Sequence, residues 1–447
     1  MSLQSNSPTA PGSPAPRHSV FAPFRALTSM QRRVFSACFL GWTLDALDFF
    51  ILTFCLDQIG TTFHIGLETV AESLFWTLAM RPVGALLFGL LAERIGRKPT
   101  LMINVACFAI FELASAFSPT WPIFLVCRAL FGVAMGGEWG VGAALALESL
   151  PKEGRGFFSG LLQEGYVTGN MLAAALSGIF AVAVAHLGLT GFAAGWRMLF
   201  VIGACLTLLV LALLATVDES PAWIAGRAAK LAKPPVALGL KLASNISQMT
   251  RFAPTFLFLT LMMFAFTSFS HGTQDLYPKF LKHDYHLSAP VISLVAMTGN
   301  LGALLGGMTC GTLSERIGRR KTIMFAALLA IPMIPLWAFS HTAVMLAAGG
   351  FLMQFMVQGA WGVIPVHLNE LSPGPVRAIL PGVAYQLGNL LSSRNGVFQS
   401  RATEHLFHGH MAPALGWTVL IVGLLVALIT SLGPEAKGVD MSSNAAA

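Results

Sequence analysis

The 447 residues are 55% hydrophobic and 11% charged, with a mean hydropathy of +0.70. That balance excludes an ordinary water-soluble domain, in which roughly 25% of residues are charged. The formal net charge of +7 is spread over loops, without basic patches interleaved with aromatics, which excludes a nucleic-acid partner.

Residues 1–30 are rich in Pro and Ser and lack the short apolar core of a cleaved signal, so a disordered cytoplasmic tail is expected there. Twelve apolar stretches follow, near 33–57, 70–92, 99–117, 121–148, 155–185, 196–217, 252–281, 289–314, 321–340, 342–368, 376–400 and 413–433. Each is long enough as a helix to cross a hydrocarbon core of about 30 Å. The fold class expected is an all-α integral membrane protein: an N-terminal six-helix bundle over 31–217, a cytoplasmic linker over 218–251, a C-terminal six-helix bundle over 252–433 and a cytoplasmic tail over 434–447.

A charge at the bilayer centre costs about 2.5–3.5 kcal/mol on insertion scales, so each one calls for a partner or a wet cavity. The first helix carries Asp45 and Asp48, three apart on a shared face. Two adjacent carboxylates in low dielectric do not both stay ionised cheaply, so either one carries a coupled proton or both anchor an arginine. Arg81 lies midway along the second helix; its fork of donors matches a carboxylate, and the bland alternative is a salt bridge to Asp45 or Asp48. Glu112, on the third helix, is left out of the site. On the fourth helix Arg128 reads as structural and as too far from Glu138 to pair with it, while Glu138 is a candidate proton carrier. The fifth helix sets Gln163, Tyr166 and Asn170 on a narrow polar face able to meet substrate oxygens.

On the seventh helix Thr267, His271, Gln274 and Asp275 form one polar stripe: His271 and Gln274 are candidate substrate ligands, and His271, which a carboxylate four residues on can retune, is with Asp275 a candidate proton carrier, the alternative being a structural histidine. Tyr385, Gln386 and Asn389 occupy the eleventh helix and face the same cavity, unless these side chains merely bridge helices. Cys38, Cys55, Cys107, Cys127, Cys205 and Cys310 lie in hydrophobic stretches without metal spacing and read as packed thiols.

The halves repeat at a fixed offset of 222 residues: GLLAERIGRKPT from Gly89 matches GTLSERIGRRKT from Gly311 at eight of twelve positions. The offset also pairs Trp139 with Trp361, Glu148 with Glu370, Pro151 with Pro373, Arg155 with Arg377 and Gly160 with Gly382. One six-helix unit used twice implies a central cavity opened alternately to each side. With the N-terminus cytoplasmic, 20 of the 27 Lys and Arg residues fall inside, 5 fall outside, and Arg81 and Arg128 fall in helices. Both termini are then cytoplasmic.

At these loops the chain resembles the major facilitator superfamily, with Glu93 and Glu315 where the family motif carries Asp. The resemblance implies a gating set of Glu93, Arg97, Glu148, Glu315, Arg319 and Glu370, with Arg97 meeting Glu148 and Arg319 meeting Glu370 when the outer side is open. GWTLDALDFF from Gly41, RALFGVAMGGEWGVG from Arg128 and SHGTQDLYP from Ser270 are together similar to the sialate and monocarboxylate proton symporters, which include the lactate permeases. Of that group's seventh-helix pattern the chain has Ser270, His271, Thr273, Gln274 and Asp275, and departs at Thr267 and Lys279. The resemblance agrees with an Arg at position 81.

The expected activity is proton-coupled symport of a small monocarboxylate such as lactate or pyruvate, in the plasma membrane, a bacterial inner membrane by preference. A larger acid, sialic or aromatic, is the alternative substrate. A nutrient sensor built on a transporter fold is the alternative from another class. No GxxxxGK[ST] loop, HExxH cluster or GxSxG elbow occurs, so no enzyme, ATP-driven pump or cofactor is expected. The expected partners are a small organic anion, protons and membrane lipid; the oligomeric state is left open, a monomer sufficing.

Overall fold

A computed structural model describes residues 22–231 and 238–439, and no strand occurs among them. The first half contains α1 (Ala22–Ala26), α2 (Ser29–Phe63), α3 (Leu67–Ile95), α4 (Arg97–Ala116), α5 (Trp121–Ser149), α6 (Arg155–Gln163), α7 (Gly165–Leu187) and α8 (Trp196–Ala215). The join carries α9 (Pro221–Leu231). The second half contains α10 (Leu238–Gln274), α11 (Tyr277–His283), α12 (Ala289–Ile317), α13 (Arg319–Ala330), α14 (Ile334–Ala338), α15 (Ala343–Leu371), α16 (Leu380–Ser392), α17 (Asn395–His405) and α18 (Met411–Leu432).

Among the described residues eleven spans are long and apolar enough to cross a membrane. The remaining crossing is α16 followed by α17, interrupted at Ser393 and Arg394, and α17 is too polar to extend the apolar run. Two spans are likewise built in pieces: α6 breaks from α7 at Glu164, and α13 passes through a 3-10 turn at Ile331–Met333, where Pro332 and Pro335 withhold backbone donors.

Of the tail expected over 1–30, residues 1–21 lie outside the described residues. Order starts ahead of residue 31, because Phe24 packs on Phe158 and Leu27 is buried. Thr28 and Gln31 then form a reciprocal cap that starts α2. Residues 232–237 of the linker expected over 218–251, Lys233 among them, lie outside the described residues, as do 440–447 of the C-terminal tail. From Leu238 the linker is continuous helix with the seventh crossing; hydropathy marks where a helix enters lipid, not where it begins.

The packing repeats as the sequence does. In the first half α3 lies on α5, α4 on α5 and α8, and α2 on α7 and α8; in the second, α12 lies on α15, α13 on α15 and α18, and α10 on α16 and α18. Glycines permit the two tightest pairings: a β-carbon at Gly132 or Gly136 of α5 would collide with the α3 backbone at Thr77 or Arg81, and one at Gly302 or Gly306 of α12 with the α15 backbone. At the loop motifs Gly96 (φ 111°) and Gly318 (φ 101°) hold a left-handed turn that only glycine adopts freely.

The halves meet at the end of the bundle where these loops lie, the motif end. There α6 packs on α12 and α15, and α16 packs on α3 and α5. Ala378 N donates to Glu93 Oε1 (3.3 Å), Gly156 N to Glu315 Oε1, and Val366 N to Ser159 Oγ (3.0 Å). The motif end is therefore shut. Beyond this barrier His271 and Asp275 remain 38% and 48% exposed, so the opposite end admits solvent to the seventh crossing.

Candidate functional site

The site is assembled on α3, whose close approach to α5 carries Arg81 to the boundary between the halves. Arg81 is 4% exposed, its Nε and Nη2 are buried without hydrogen-bond partners, and no ion pair among the described residues includes it. Its charge acts on Asp45 of α2, Glu138 of α5, Tyr166 of α7, His271 of α10 and Tyr385 of α16. Both carboxylate oxygens of Asp45 and of Glu138 also lack partners. One cation and two acids thus share a buried space without bonding one another, an arrangement that leaves the guanidinium free for an outside carboxylate.

Asp45 and Asp48 do not share surroundings. Three residues place them about 60° apart around the helix, enough to part them. Asp48 accepts from Thr207 Oγ1 (3.4 Å) and lies under the influence of Glu112, Arg128 and its neighbour Asp45 rather than Arg81. Arg128 pairs with Glu112 at 2.5 Å, both fully buried, and rests over the Phe131 ring at 4.0 Å. Glu112, set aside on sequence grounds, is therefore a partner in the charge network of the first half.

Around Arg81 stands an aromatic cluster drawn from both halves. Trp42 stacks on Tyr166 (5.8 Å), Trp139 lies 4.6 Å from Tyr385, and Trp361 meets Tyr385 edge-on at 5.7 Å. Trp139 Nε1 donates to Gln163 Oε1 (3.4 Å), while Asn170 is half-buried farther along α7. The second half adds amides and hydroxyls: Gln274 Nε2 donates to Gln354 Oε1 (2.8 Å), Gln354 Nε2 to Thr273 (3.2 Å), Gln358 Nε2 to Ser270 (3.1 Å), and Asn389 Nδ2 to Gln386 Oε1 (3.4 Å). Asn389 also reaches His271 and Tyr385, and His271 Nδ1 sits 3.2 Å from Asp275. Thr267 is turned instead to the backbone carbonyl of Met263 (2.8 Å).

At the motif end Arg97 meets Glu148 (3.2 Å) and Glu93 (3.0 Å), and Arg319 meets Glu370 (3.0 Å) and Glu315 (3.1 Å). Ser220 Oγ donates to Glu148. Two further acids complete the arrangement: Glu219 accepts from the backbone of Arg97 (3.0 Å) and Lys98 (3.1 Å), and Glu435 from that of Arg319 (3.0 Å) and Arg320 (3.1 Å). Each caps the N-terminus of the helix after a motif glycine, where a carboxylate is favoured.

Comparison with known proteins agrees with this architecture. Residues 35–233 match the family profile Sugar (and other) transporter, and residues 276–393 match Major Facilitator Superfamily. The proton:xylose symporter XylE, solved with 6-bromo-6-deoxy-D-glucose, superposes with a TM-score of 0.74 at 20% identity, over 93% of this chain and 98% of that one. The chain belongs to the major facilitator superfamily. Among curated relatives, the carboxylic acid transporter protein homolog of Saccharomyces cerevisiae is 27% identical over 85% of this chain; the match spans only 62% of the yeast protein's length. The sialic acid transporter NanX of Escherichia coli is 26% identical over 82% of this chain and 85% of its own. This facilitator is thus a multi-pass membrane transporter and not an enzyme.

Sequence reading passed over several residues of the facilitator's interior. Trp42, Trp139 and Trp361 stand singly in apolar stretches and give no signal of their own beyond the repeat that pairs Trp139 with Trp361. Gln354 and Gln358 carried a detectable signal, two amides four apart in an apolar helix. Glu164 was obscured by its neighbours Gln163 and Tyr166.

Proposed function

We propose that the chain is a proton-coupled symporter of a small monocarboxylate of the lactate or pyruvate kind, working by alternating access in a plasma membrane with both termini cytoplasmic. The carrying observation is the buried, unpartnered Arg81 guanidinium beside Asp45 and Glu138. A buried cation without a fixed partner is costly, and an incoming carboxylate offers the forked, charge-assisted bonds that would offset the cost. With the site empty, the two acids provide the compensating charge and a place for the proton. The exposed pair His271 and Asp275 stands where a proton from the open side arrives first. The latches of Arg97 and Arg319 hold the opposite gate shut until anion and proton are bound.

A larger, ring-bearing acid is the second reading, favoured by Trp42, Trp139, Trp361, Tyr166 and Tyr385 beside Arg81, since aromatic faces reward a ring that stacks on them. The yeast and Escherichia coli relatives, named for carboxylic and sialic acid, fit either reading. Uptake of labelled lactate, pyruvate, benzoate and sialic acid into proteoliposomes, with an imposed pH gradient and with or without an uncoupler, tests both. Gradient-driven uptake of lactate supports the first reading and of benzoate or sialic acid the second, whereas uptake indifferent to the gradient removes the proton.

A further inference from the structure

Glu164 stands at the break between α6 and α7, nine residues or about 14 Å along the helix from Arg155 at the motif end. It is 3% exposed, Oε2 has no hydrogen-bond partner, and no ion pair among the described residues includes it. The carboxyl presses across the boundary onto α12, where residue 307 is a glycine; a β-carbon there would collide with Glu164 Oε1. Gly307 is backed in turn by Gly362 of α15, so the carboxyl is sealed between the halves as long as the motif end is shut. Besides groups farther along the same helices, the elements around it carry Arg155 on α6, Tyr166 and His186 on α7, Asp45 and Asp48 on α2, Glu138 and Glu148 on α5, Glu315 and Arg316 on α12 and His367 and Glu370 on α15, and none of them acts on Glu164.

We propose that Glu164 is a proton-binding site that exists only while the motif end is closed: the sealed carboxyl holds one proton, and parting of α6 from α12 lets it ionise into the water that enters. An isolated carboxylate in an apolar seam costs far more than its protonated form. Once the seam opens, the same group is solvated and its proton passes to water. The repeat supplies a second observation. The position equivalent to Glu164 in the other half is Gln386, a neutral side chain of the same shape, 1% exposed and also lacking a partner for Nε2. One half therefore carries a permanently neutral group where the other carries a group that is neutral only when protonated.

A ligand that binds one state shifts the equilibrium toward it. Acid at the motif end thus favours closure and base favours opening, by up to tenfold in the closed-to-open ratio per pH unit between the proton affinities of the two states. The inference rests on alternating access and on no particular substrate.

The test is the full chain in nanodiscs without substrate, spin-labelled at Glu153→Cys and Arg316→Cys in a background free of other cysteines. Distances between the labels are measured by electron–electron resonance across pH 4 to about 9. In otherwise wild-type protein the open fraction should rise with pH, and Glu164→Gln and Glu164→Leu should each remove about one proton from that dependence while keeping the closed distance. A wild-type dependence that persists undiminished in both variants, or a wild-type ratio indifferent to pH, overturns the proposal. Gradient-driven uptake measured on the same variants separates the two readings: labels that respond to pH through Glu164 in a protein without proton-driven uptake leave this site standing and remove the symport.

Discussion

Arg81→Gln separates a substrate ligand from a structural ion. Nε and Nη2 find no partner in the closed interior, and an unsatisfied buried donor costs about 1–3 kcal/mol. The ligand-free variant should therefore be as stable as wild type or up to about 2 kcal/mol more stable, whereas breaking a buried ion pair costs about 3–5 kcal/mol. The effect on binding runs the other way. Each hydrogen bond to a charged group contributes about 1.5–3 kcal/mol, so losing a forked pair weakens a carboxylate by at least about 100-fold. Arg81→Lys keeps the charge and loses the fork, and should fall between the two. Thermal unfolding in detergent with and without substrate reads both quantities: at a hundred times Kd a bound acid stabilises wild type by about 2.7 kcal/mol, and that shift should vanish in Arg81→Gln. A ligand-free loss of about 3 kcal/mol together with undiminished affinity in Arg81→Lys would show that Arg81 is structural.

Glu112→Gln should cost about 3–5 kcal/mol of thermal stability by stranding Arg128, and Glu112→Leu combined with Arg128→Met should recover most of it; equal losses in the single and double variants would contradict a paired role. Glu148→Gln, and by the repeat Glu370→Gln, should raise the population open at the motif end by roughly 10–100-fold, read by accessibility of an engineered cysteine there. Gly382→Val should act in the same direction by a steric route, since its side chain would meet Gly140 across the boundary; unaltered accessibility would mean the halves give way at no cost. Asp275→Asn should leave substrate exchange partly active and make net uptake insensitive to an imposed pH gradient, and intact gradient-driven accumulation would move the coupling to the first half.

Architecture was legible because lipid imposes it. Every crossing needs an apolar run of fixed length, and the 222-residue offset carried the motif loops, Glu148 with Glu370 and Trp139 with Trp361 into one repeated unit. What stayed hidden depends on rotation and depth rather than on spacing. Asp45 and Asp48 look equivalent in sequence, yet a turn of about 60° sends one to Arg81 and the other to Thr207 and Arg128. Glu112 was set aside because the family resemblance implies a peripheral third helix, but one face of a peripheral helix still points inward, and there it meets Arg128. Glu219 and Glu435 lie 216 residues apart, so the 222-residue offset never paired them, although they cap equivalent helices. The breaks at Glu164 and at Ser393 had no proline or glycine signal strong enough to separate them from unbroken helix.

The repeat also divides the labour between the halves. Glu93, Arg97 and Glu148 of the gate recur as Glu315, Arg319 and Glu370, so each half carries its own latch. Apart from Arg155, which recurs as Arg377, the other charges buried in the first half do not recur. Asp45, Asp48, Arg81, Glu112, Arg128, Glu138 and Glu164 correspond to Thr267, Ser270, Ala303, Ile334, Gly350, Ala360 and Gln386. Apart from the gate and Arg155, the first half thus buries five acids against two arginines, an excess that membrane interior tolerates only if protons neutralise part of it. The second half answers with neutral donors, Gln274, Gln354, Gln358 and Asn389, which can orient an anion without adding charge of their own. Both latches lie at the motif end and form one two-part gate there, while the charges of the interior stand chiefly on the first half. Under the proposed alternating access, rocking of the halves changes which side reaches those charges, with His271 and Asp275 as the exposed ionisable pair that the second half contributes.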